Sequence, residues 1–394
     1  MAPAVVTRPS TVDQLAAVLG SAQRHGLAVS PTGGRTRLSI GNAPRAYDVA
    51  VDMTGLNRVI AHNHADLTAT VEAGVTFAAL QQRLSAQGQM VAIDPPLPTL
   101  ATVGGTLAVG TAGPLKWQYL HPRDLVIGMK VVQADGTVTK SGGQVVKNVS
   151  GYDMSRLHIG GLGTIGVIAE VSFKLTPLPV REATLIVDFP SADDAVSAGL
   201  AVFRSAVMPL AITCFGPSCT RLAVRMGGRP AALARQVDEC ARHAMAAGAT
   251  GLETMEGESA AGLWRGLSDF GWDGDTPALA MRASVTPSNV AALIHSVADG
   301  TVAPEMVAHP AHGTVQILWR GPMDDVQAFG KASQVRAAAA AMGGSAVIER
   351  CSSSMKASFD VWGEVGSSIE TMRRLKSQFD PNGSLNLGRF AGGI

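Results

Sequence analysis

Pro31-Thr32-Gly33-Gly34-Arg35-Thr36 follows the apolar run Leu27-Ala28-Val29 and reads as a strand opening into a glycine turn. Two adjacent glycines adopt positive φ at no steric cost and turn several backbone N–H groups onto one concave side, a nest suited to a pyrophosphate. The turn does not have the GxGxxG form opening a helix, so a Rossmann dinucleotide site is the poorer reading. A glycine pair alone is more often a plain turn; what gives this one weight is its company further along the chain.

The second stretch is Thr102-Val103-Gly104-Gly105-Thr106-Leu107-Ala108-Val109-Gly110-Thr111-Ala112-Gly113, preceded by Asp94-Pro95-Pro96. A run of small residues with no bulk to pack suits a flat ligand lying against backbone; a flexible loop is the alternative, and the interleaved β-branched residues oppose it. The third stretch is Lys147-Asn148-Val149-Ser150-Gly151-Tyr152-Asp153, leading into Gly160-Gly161-Leu162-Gly163-Thr164-Ile165-Gly166-Val167-Ile168.

Around these stretches lie alternating strand and helix patterns. Ser10 to His25 reads as an amphipathic helix capped by Ser10 or Thr11 and closed by Gly26. Runs such as Leu125–Asp135 and Thr164–Leu175 read as strands, and Phe77–Gly88 as a helix. Past the prolines at 177 and 179, strand and helix patterns alternate over 182–248, as in a small layered cap. A helix over about 367–379 precedes an Asp-Pro-Asn-Gly turn and a short tail. The sequence shows no internal repeat. The fold class that follows is α+β, with residues 1–178 as one domain, 179–345 as a smaller α+β cap and 346–394 as a segment returning to the first.

Composition narrows the functional classes. Hydrophobic residues make up 46% of the 394 and charged residues 16%, enough apolar surface for a large core in two or three domains. A formal net charge of +1, with Lys and Arg scattered, leaves no basic surface to track a phosphate backbone, so nucleic acid is not an expected partner. Cys214, Cys219, Cys240 and Cys351 form no CxxC pair, so any iron–sulfur cluster belongs to a partner. There is neither a signal-peptide pattern nor an apolar run of about 18 residues, so a cytoplasmic protein is expected, reaching a membrane only through partners. The mean hydropathy of +0.19 fits a hidden interface as well as it fits the alanine content.

Taken together, in order and spacing, the three glycine stretches resemble the PCMH-type flavin-binding domain of the vanillyl-alcohol-oxidase superfamily. Within it, Lys147–Leu157 followed by Gly160–Ile168, the Arg123-Asp124 pair before a strand, and the tail Phe379–Arg389 resemble the family of smaller flavin subunits of bacterial glycolate oxidases. The resemblance is strong over 1–178 and at the tail and weak over the cap. The family's tail usually reads Asn-Pro-Gly-Arg; here Leu387 stands in place of the proline.

The resemblance implies FAD held at Thr32, Gly33, Gly34, Arg35 and Thr36, with Pro95, Thr102, Gly104, Gly105, Thr106, Gly110, Arg123, Asp124, Gly160, Gly163, Gly166, Val167 and Ile168 around the remainder. Relatives that attach flavin covalently use a His in the first turn or a Cys in the second loop; here those places hold Arg35 and the cysteine-free stretch 113–121, so dissociable FAD is expected. The implied partners are a larger flavin subunit and an iron–sulfur subunit, and the implied substrate is a small 2-hydroxy acid.

Oxidising such an acid requires a cation for the carboxylate and a base for the hydroxyl proton. Arg389 is the candidate for the first, since a guanidinium fork matches two oxygens, although a surface or helix-end arginine reads the same way. Lys147 and Tyr152 join it as catalytic candidates. Related hydroxy-acid dehydrogenases carry a metal on HxGDGNxH plus a carboxylate. The comparable stretch, His309-Pro310-Ala311-His312-Gly313-Thr314-Val315-Gln316, retains two histidines without the Asp-Gly-Asn core, so no metal is expected and the histidines read as structural. Three functions follow: a flavin subunit relaying electrons in a glycolate oxidase complex, a self-sufficient FAD-dependent alcohol or D-2-hydroxy acid dehydrogenase using Lys147, Tyr152, His309, His312 and Arg389, or a scaffold that has lost the cofactor. The intact glycine turns argue against the last.

Overall fold

The computed structural model describes residues 2–110, 112–144, 152–298 and 303–394. The chain divides into two compact units: residues 1–112, 121–178 and 360–394 form the first, and residues 113–120 and 179–359 the second.

In the first unit, strand β1 (Val5–Thr7) leads to helix α1 (Val12–Arg24). Thr11 Oγ1 accepts from Gln14 N at 3.2 Å, satisfying one of the free N–H groups of the first turn, while Leu15, Leu19 and Ala22 at helical spacing face the core. Strands β2 (Val29–Thr32) and β3 (Val49–Asp52) then complete a parallel three-stranded sheet of order β1-β3-β2. Strands β4 (Val59–Asn63) and β5 (Thr68–Glu72), helix α2 (Phe77–Ser85), strand β6 (Gln89–Met90) and helix α3 (Val103–Val109) follow.

Helix α4 (Lys116–Tyr119) belongs to the second unit, after which helix α5 (Pro122–Leu125), strands β7 (Val126–Val132) and β8 (Val138–Gly142), helix α6 (Ser155–His158) and strands β9 (Val167–Lys174) and β10 (Thr176–Pro177) return to the first. An antiparallel sheet of order β4-β5-β9-β7-β8 results. The main apolar cluster joins Leu15 and Leu19 of α1 with Val29, Val51, Val132 and Val167, and Leu385 of the tail closes it.

In the second unit the strands and helices alternate as β11 (Arg181–Asp188), α7 (Ala192–Arg204), β12 (Ala211–Phe215), β13 (Arg221–Gly228), α8 (Pro230–Ala246), β14 (Gly251–Met255) and α9 (Gly257–Asp269). The second half runs β15 (Leu279–Ser284), α10 (Val290–Ala298), β16 (Glu305–His309), β17 (Thr314–Trp319), α11 (Asp325–Ala341) and β18 (Ser345–Arg350). The eight strands make one sheet of order β14-β11-β13-β12-β16-β17-β15-β18.

That order is a repeat absent from the reading of the sequence. Each half is a βαββαβ unit with its own strands in the order fourth, first, third, second, and the halves meet where Cys214 of β12 pairs Ala308 of β16. Even the central hairpins match: one 3-10 turn begins at Pro217 and ends at Cys219, its counterpart begins at Pro310 and ends at His312. With so little identity between the halves, only topology reveals it. Because β18 lies in this sheet, the second unit continues through helix α12 (Ser353–Ser358) to Phe359, and the return to the first unit starts at Asp360 rather than at 346; helix α13 (Ser368–Phe379) and the tail complete it.

Candidate functional site: a glycine-lined cleft

The strand β2 ends in the Gly33-Gly34 turn, and the N-terminus of α3 packs against that turn. Space there is too tight for any side chain. A Cβ on Gly33 would fall 2.0 Å from Thr102 Oγ1, and one on Gly34 would fall 1.6 Å from the Leu100 carbonyl oxygen. Arg35 sits at φ 60, the left-handed conformation that non-glycine residues seldom adopt without a structural demand. Thr102 caps α3 through Oγ1, accepting from Gly105 N at 3.3 Å. The stretch read from sequence as an extended run of small residues is therefore mostly helix: its glycines serve close packing, with Gly104 against Ala73.

Two lobes open along this junction. The first, about 490 Å³, is lined by the turn Thr32–Leu38, by Thr102, Gly105 and Ala108 of the α3 region, and by Leu162, Asn386 and Arg389. The second, about 410 Å³, shares Thr32, Gly33, Thr102, Gly105 and Leu162 and extends to Met53, Gly163, Val167 and Ile168. Glycines, threonines and Ala108 make up much of the lining, and among the described residues no Cys, His or Tyr lines either lobe.

Residues 3–142 match the family described as FAD binding domain, and residues 178–390 match the family described as FAD linked oxidases, C-terminal domain. The chain belongs to the FAD-linked oxidases. It is 29% identical over 207 residues to the glycolate oxidase subunit GlcD of Bacillus subtilis, covering 52% of this chain and 44% of that one. It is 31% identical over 205 residues to the mitochondrial D-lactate dehydrogenase [cytochrome] of Arabidopsis thaliana, covering 52% and 36%. With the glycolate oxidase subunit GlcE of Escherichia coli it shares 35% identity over 128 residues, 32% of this chain and 37% of that one. The matched stretches thus span less than half of each of these relatives. An alkyldihydroxyacetonephosphate synthase structure superposes with a TM-score of 0.75 at 18% identity, over 97% of this chain and 76% of that one, and shares the fold.

FAD fits the cleft of this family member on its own geometry. Residues 33–36 line the first lobe and can turn backbone N–H groups to a pyrophosphate, and the Gly33, Gly104, Gly105, Ala108 and Gly163 lining of the second lobe leaves room for an aromatic ring system.

Of the residues named from sequence, Thr32, Gly33, Gly34, Arg35, Thr36, Thr102, Gly104, Gly105, Gly163, Val167, Ile168 and Arg389 come together along the two lobes. Pro95, Thr106, Gly110, Arg123, Asp124, Gly160 and Gly166 are not among the lining residues. Gly110, at φ 69, ends α3 and lets Gly160 approach, with a Cβ there only 2.9 Å from Gly160 Cα. Asp124 closes a capping box on the short α5, accepting from His121 N, and pairs with Arg156; Arg123 is largely exposed. Gly166 serves packing, since a Cβ would meet Val131 and His158.

The catalytic candidates fare differently. Arg389 is buried, and its Nη2 donates to the carbonyls of Leu38 and Ile40 at 2.8 and 2.6 Å, pinning the tail to the loop that borders the cleft. Burial lowers its pKa from the usual arginine value, an expense its hydrogen bonds offset. Tyr152 is 91% exposed. Lys147 lies outside the described residues. What sequence reading missed is Asn386, which lines the first lobe; the Asn-Leu-Gly-Arg tail that held it was read only for Arg389.

The two histidines of the 309–316 stretch do come together, within the second unit. Their rings stack at 4.9 Å and 27°. His309 Nδ1 bonds Thr213 Oγ1 at 3.0 Å and His312 Nδ1 bonds Thr314 Oγ1 at 3.1 Å, leaving His312 Nε2 buried without a partner. Burial, then the Lys116 cation, pushes His309 down to about 4; burial, then His309 and Lys116, holds His312 well below the usual histidine value. Both rings are neutral at physiological pH. Among the described residues no group of three or more His, Cys, Asp or Glu is placed to hold a metal ion, and this donor set gives no metal step to derive.

Strand register adds a feature that no motif predicted. Thr213 and His309 lie on the sheet face opposite the helices α7 and α8, and the alternation of side chains puts Glu182, Arg225, Gln316, Arg282 and Glu349 on that same face. Arg225 Nε bonds Glu182 at 2.6 Å and Arg282 Nε bonds Glu349 at 2.9 Å, so a line of paired polar groups crosses a face otherwise carrying Ile186, Ala223 and Val307.

Proposed function

We propose that this chain uses dissociable FAD to oxidise, or to pass on electrons from, a small 2-hydroxy acid of the glycolate or D-lactate kind. The carrying observation is the cleft itself: a lobe lined by the glycine turn at residues 32–36 that shares Thr32, Gly33, Thr102 and Gly105 with a second lobe, in a chain whose relatives include a glycolate oxidase subunit and a D-lactate dehydrogenase. Dissociable binding is proposed because Arg35 and the cysteine-free stretch 113–121 stand where covalently flavinylated relatives carry a His or a Cys. Bound flavin supplies the hydride acceptor.

Arg389 contributes to the cleft mainly by fixing its border, with its Nε and Nη1 as the route to any carboxylate contact.

A second reading rests on the likeness to both GlcD and GlcE. In it the chain is one flavin subunit of a complex with a larger flavin subunit and an iron–sulfur subunit, and its flavin relays electrons. Anaerobic addition of glycolate, D-lactate or D-2-hydroxyglutarate to the purified yellow protein separates the two: bleaching of the flavin band establishes autonomous oxidation, and an oxidised flavin that bleaches only with partner subunits establishes the relay. A protein that cannot take up FAD refutes both.

A further inference from the structure

Asn386 is held in an unusual way. Its backbone takes φ 44, in the left-handed region where asparagine is one of the few tolerated side chains. Its N–H donates to Val29 O at 2.9 Å, joining it to the first residue of β2, the strand that leads into the glycine turn. Its Nδ2 donates to Leu162 O at 2.5 Å, which fixes the orientation of the amide: the nitrogen faces the carbonyl, so the oxygen is the other atom. That oxygen, Oδ1, is buried and has no hydrogen-bond partner, while the residue lines the first lobe of the cleft. A buried amide oxygen left unsatisfied costs more than the net value of a hydrogen bond, and such a group normally has a partner when the protein is in its working state.

The surrounding framework holds this side chain rigid. Lys376 Nζ donates to Thr164 O at 2.7 Å, to Leu385 O at 2.9 Å and to Asp380 Oδ2 at 2.6 Å, while Asp380 accepts from the backbone of Ser384 and Leu385. Leu385, which precedes Asn386, and Thr164, two residues beyond the Leu162 carbonyl, are thus tied to one buried ammonium group.

We infer that Asn386 Oδ1 is a direct FAD contact, accepting a hydrogen bond from a hydroxyl or N–H of the cofactor, and that the Lys376–Asp380 pair positions it. The inference rests on the cleft being the FAD site and adds to that site a ligand contributed by the far end of the chain. It gives the C-terminal tail a binding role beyond closing the core.

The test uses the full chain, stripped of flavin and titrated with FAD while flavin fluorescence is followed, alongside melting temperatures with and without FAD. Asn386→Gly keeps the left-handed backbone and removes the amide; Asn386→Ser serves where the glycine variant does not accumulate. Thr11→Ala, which removes the side-chain cap of α1 and lines neither lobe, is the structural control. Expected is a rise of about tenfold in the FAD dissociation constant for the Asn386 variants, the scale of one lost hydrogen bond, with a smaller FAD-induced rise in melting temperature. Thr11→Ala should lower both melting temperatures and leave the dissociation constant within twofold. An Asn386 variant that melts lower but binds FAD as tightly as the parent overturns the inference, while loss of FAD binding by the parent chain refutes the cofactor reading itself.

Discussion

Lys376 Nζ lies 2.6 Å from Asp380 Oδ2 one helical turn away, with the lysine side chain 10% exposed and the aspartate fully buried. Burial lowers the lysine pKa and the adjacent carboxylate raises it again, with burial the larger effect. An isolated pair of this kind seldom adds net stability; removing one member, however, strands the other without solvent. Lys376→Met should therefore cost about 3–5 kcal/mol, read as a fall in the denaturant midpoint, and a cost below about 1 kcal/mol would mean the pair is solvated.

The glycine turn makes a sharper demand. In Gly34→Ala the added methyl would overlap the Leu100 carbonyl, and relief requires moving the backbone of residues 100–102 that caps α3. We expect a soluble but colourless protein, checked by the absorbance ratio of flavin to protein. Gly26→Ala, a turn with nothing within 4 Å of a new Cβ, should retain FAD at the parental ratio and lose only the stability that an alanine at positive φ costs.

Arg389 separates a structural from a substrate role by kinetics. If its work is to pin the 38–40 loop, Arg389→Lys should lower stability by about 1.5–3 kcal/mol, the scale of hydrogen bonds from a charged donor, and weaken FAD binding without a selective rise in KM for the hydroxy acid. A large KM effect in a fully flavinated, stable variant would instead place a substrate carboxylate on the guanidinium.

Two buried histidines set an acid limit on stability. Burial pushes His158 in the first unit and His309 in the second to about 4. Above about pH 6.5 both are neutral, folded or unfolded. Between 6.5 and 4 the unfolded chain takes up protons that the native state refuses, so stability falls with pH, by up to about 3 kcal/mol for each histidine. Melting temperatures measured from pH 7.5 to 4.5 should decline over this window, and His158→Gln should flatten the slope.

The thiols differ in reactivity for the same reason. Cys219 and Cys240 are pushed up to about 12 by burial, and Cys214 rises as well, whereas Cys351 is partly exposed. A thiolate-seeking reagent at pH 8 should titrate one cysteine slowly in the native protein and four after denaturation. Rapid reaction of more than one would show that the second unit opens readily.

Local chemistry was legible in the chain alone. Gly33, Gly34 and the α3 glycines marked a place of close backbone approach, and the cap of α1 at Thr11 and its stop near Gly26 followed from hydrogen-bonding rules within a few residues. The helical state of 103–109 was not legible, since glycine-rich composition opposes a helix and only the tight packing against Ala73 and the Gly33 turn selects it. Nor was the doubled βαββαβ sheet, whose halves share topology without shared sequence. The roles of Arg389 and Asn386 depend on carbonyls of Leu38, Ile40 and Leu162 that lie 224 to 351 residues away along the chain. Sequence thus determined which segments must present bare backbone; tertiary packing alone decided which side chains from the opposite end of the chain would border it, because hydrogen bonds between distant segments leave no periodic trace in either one.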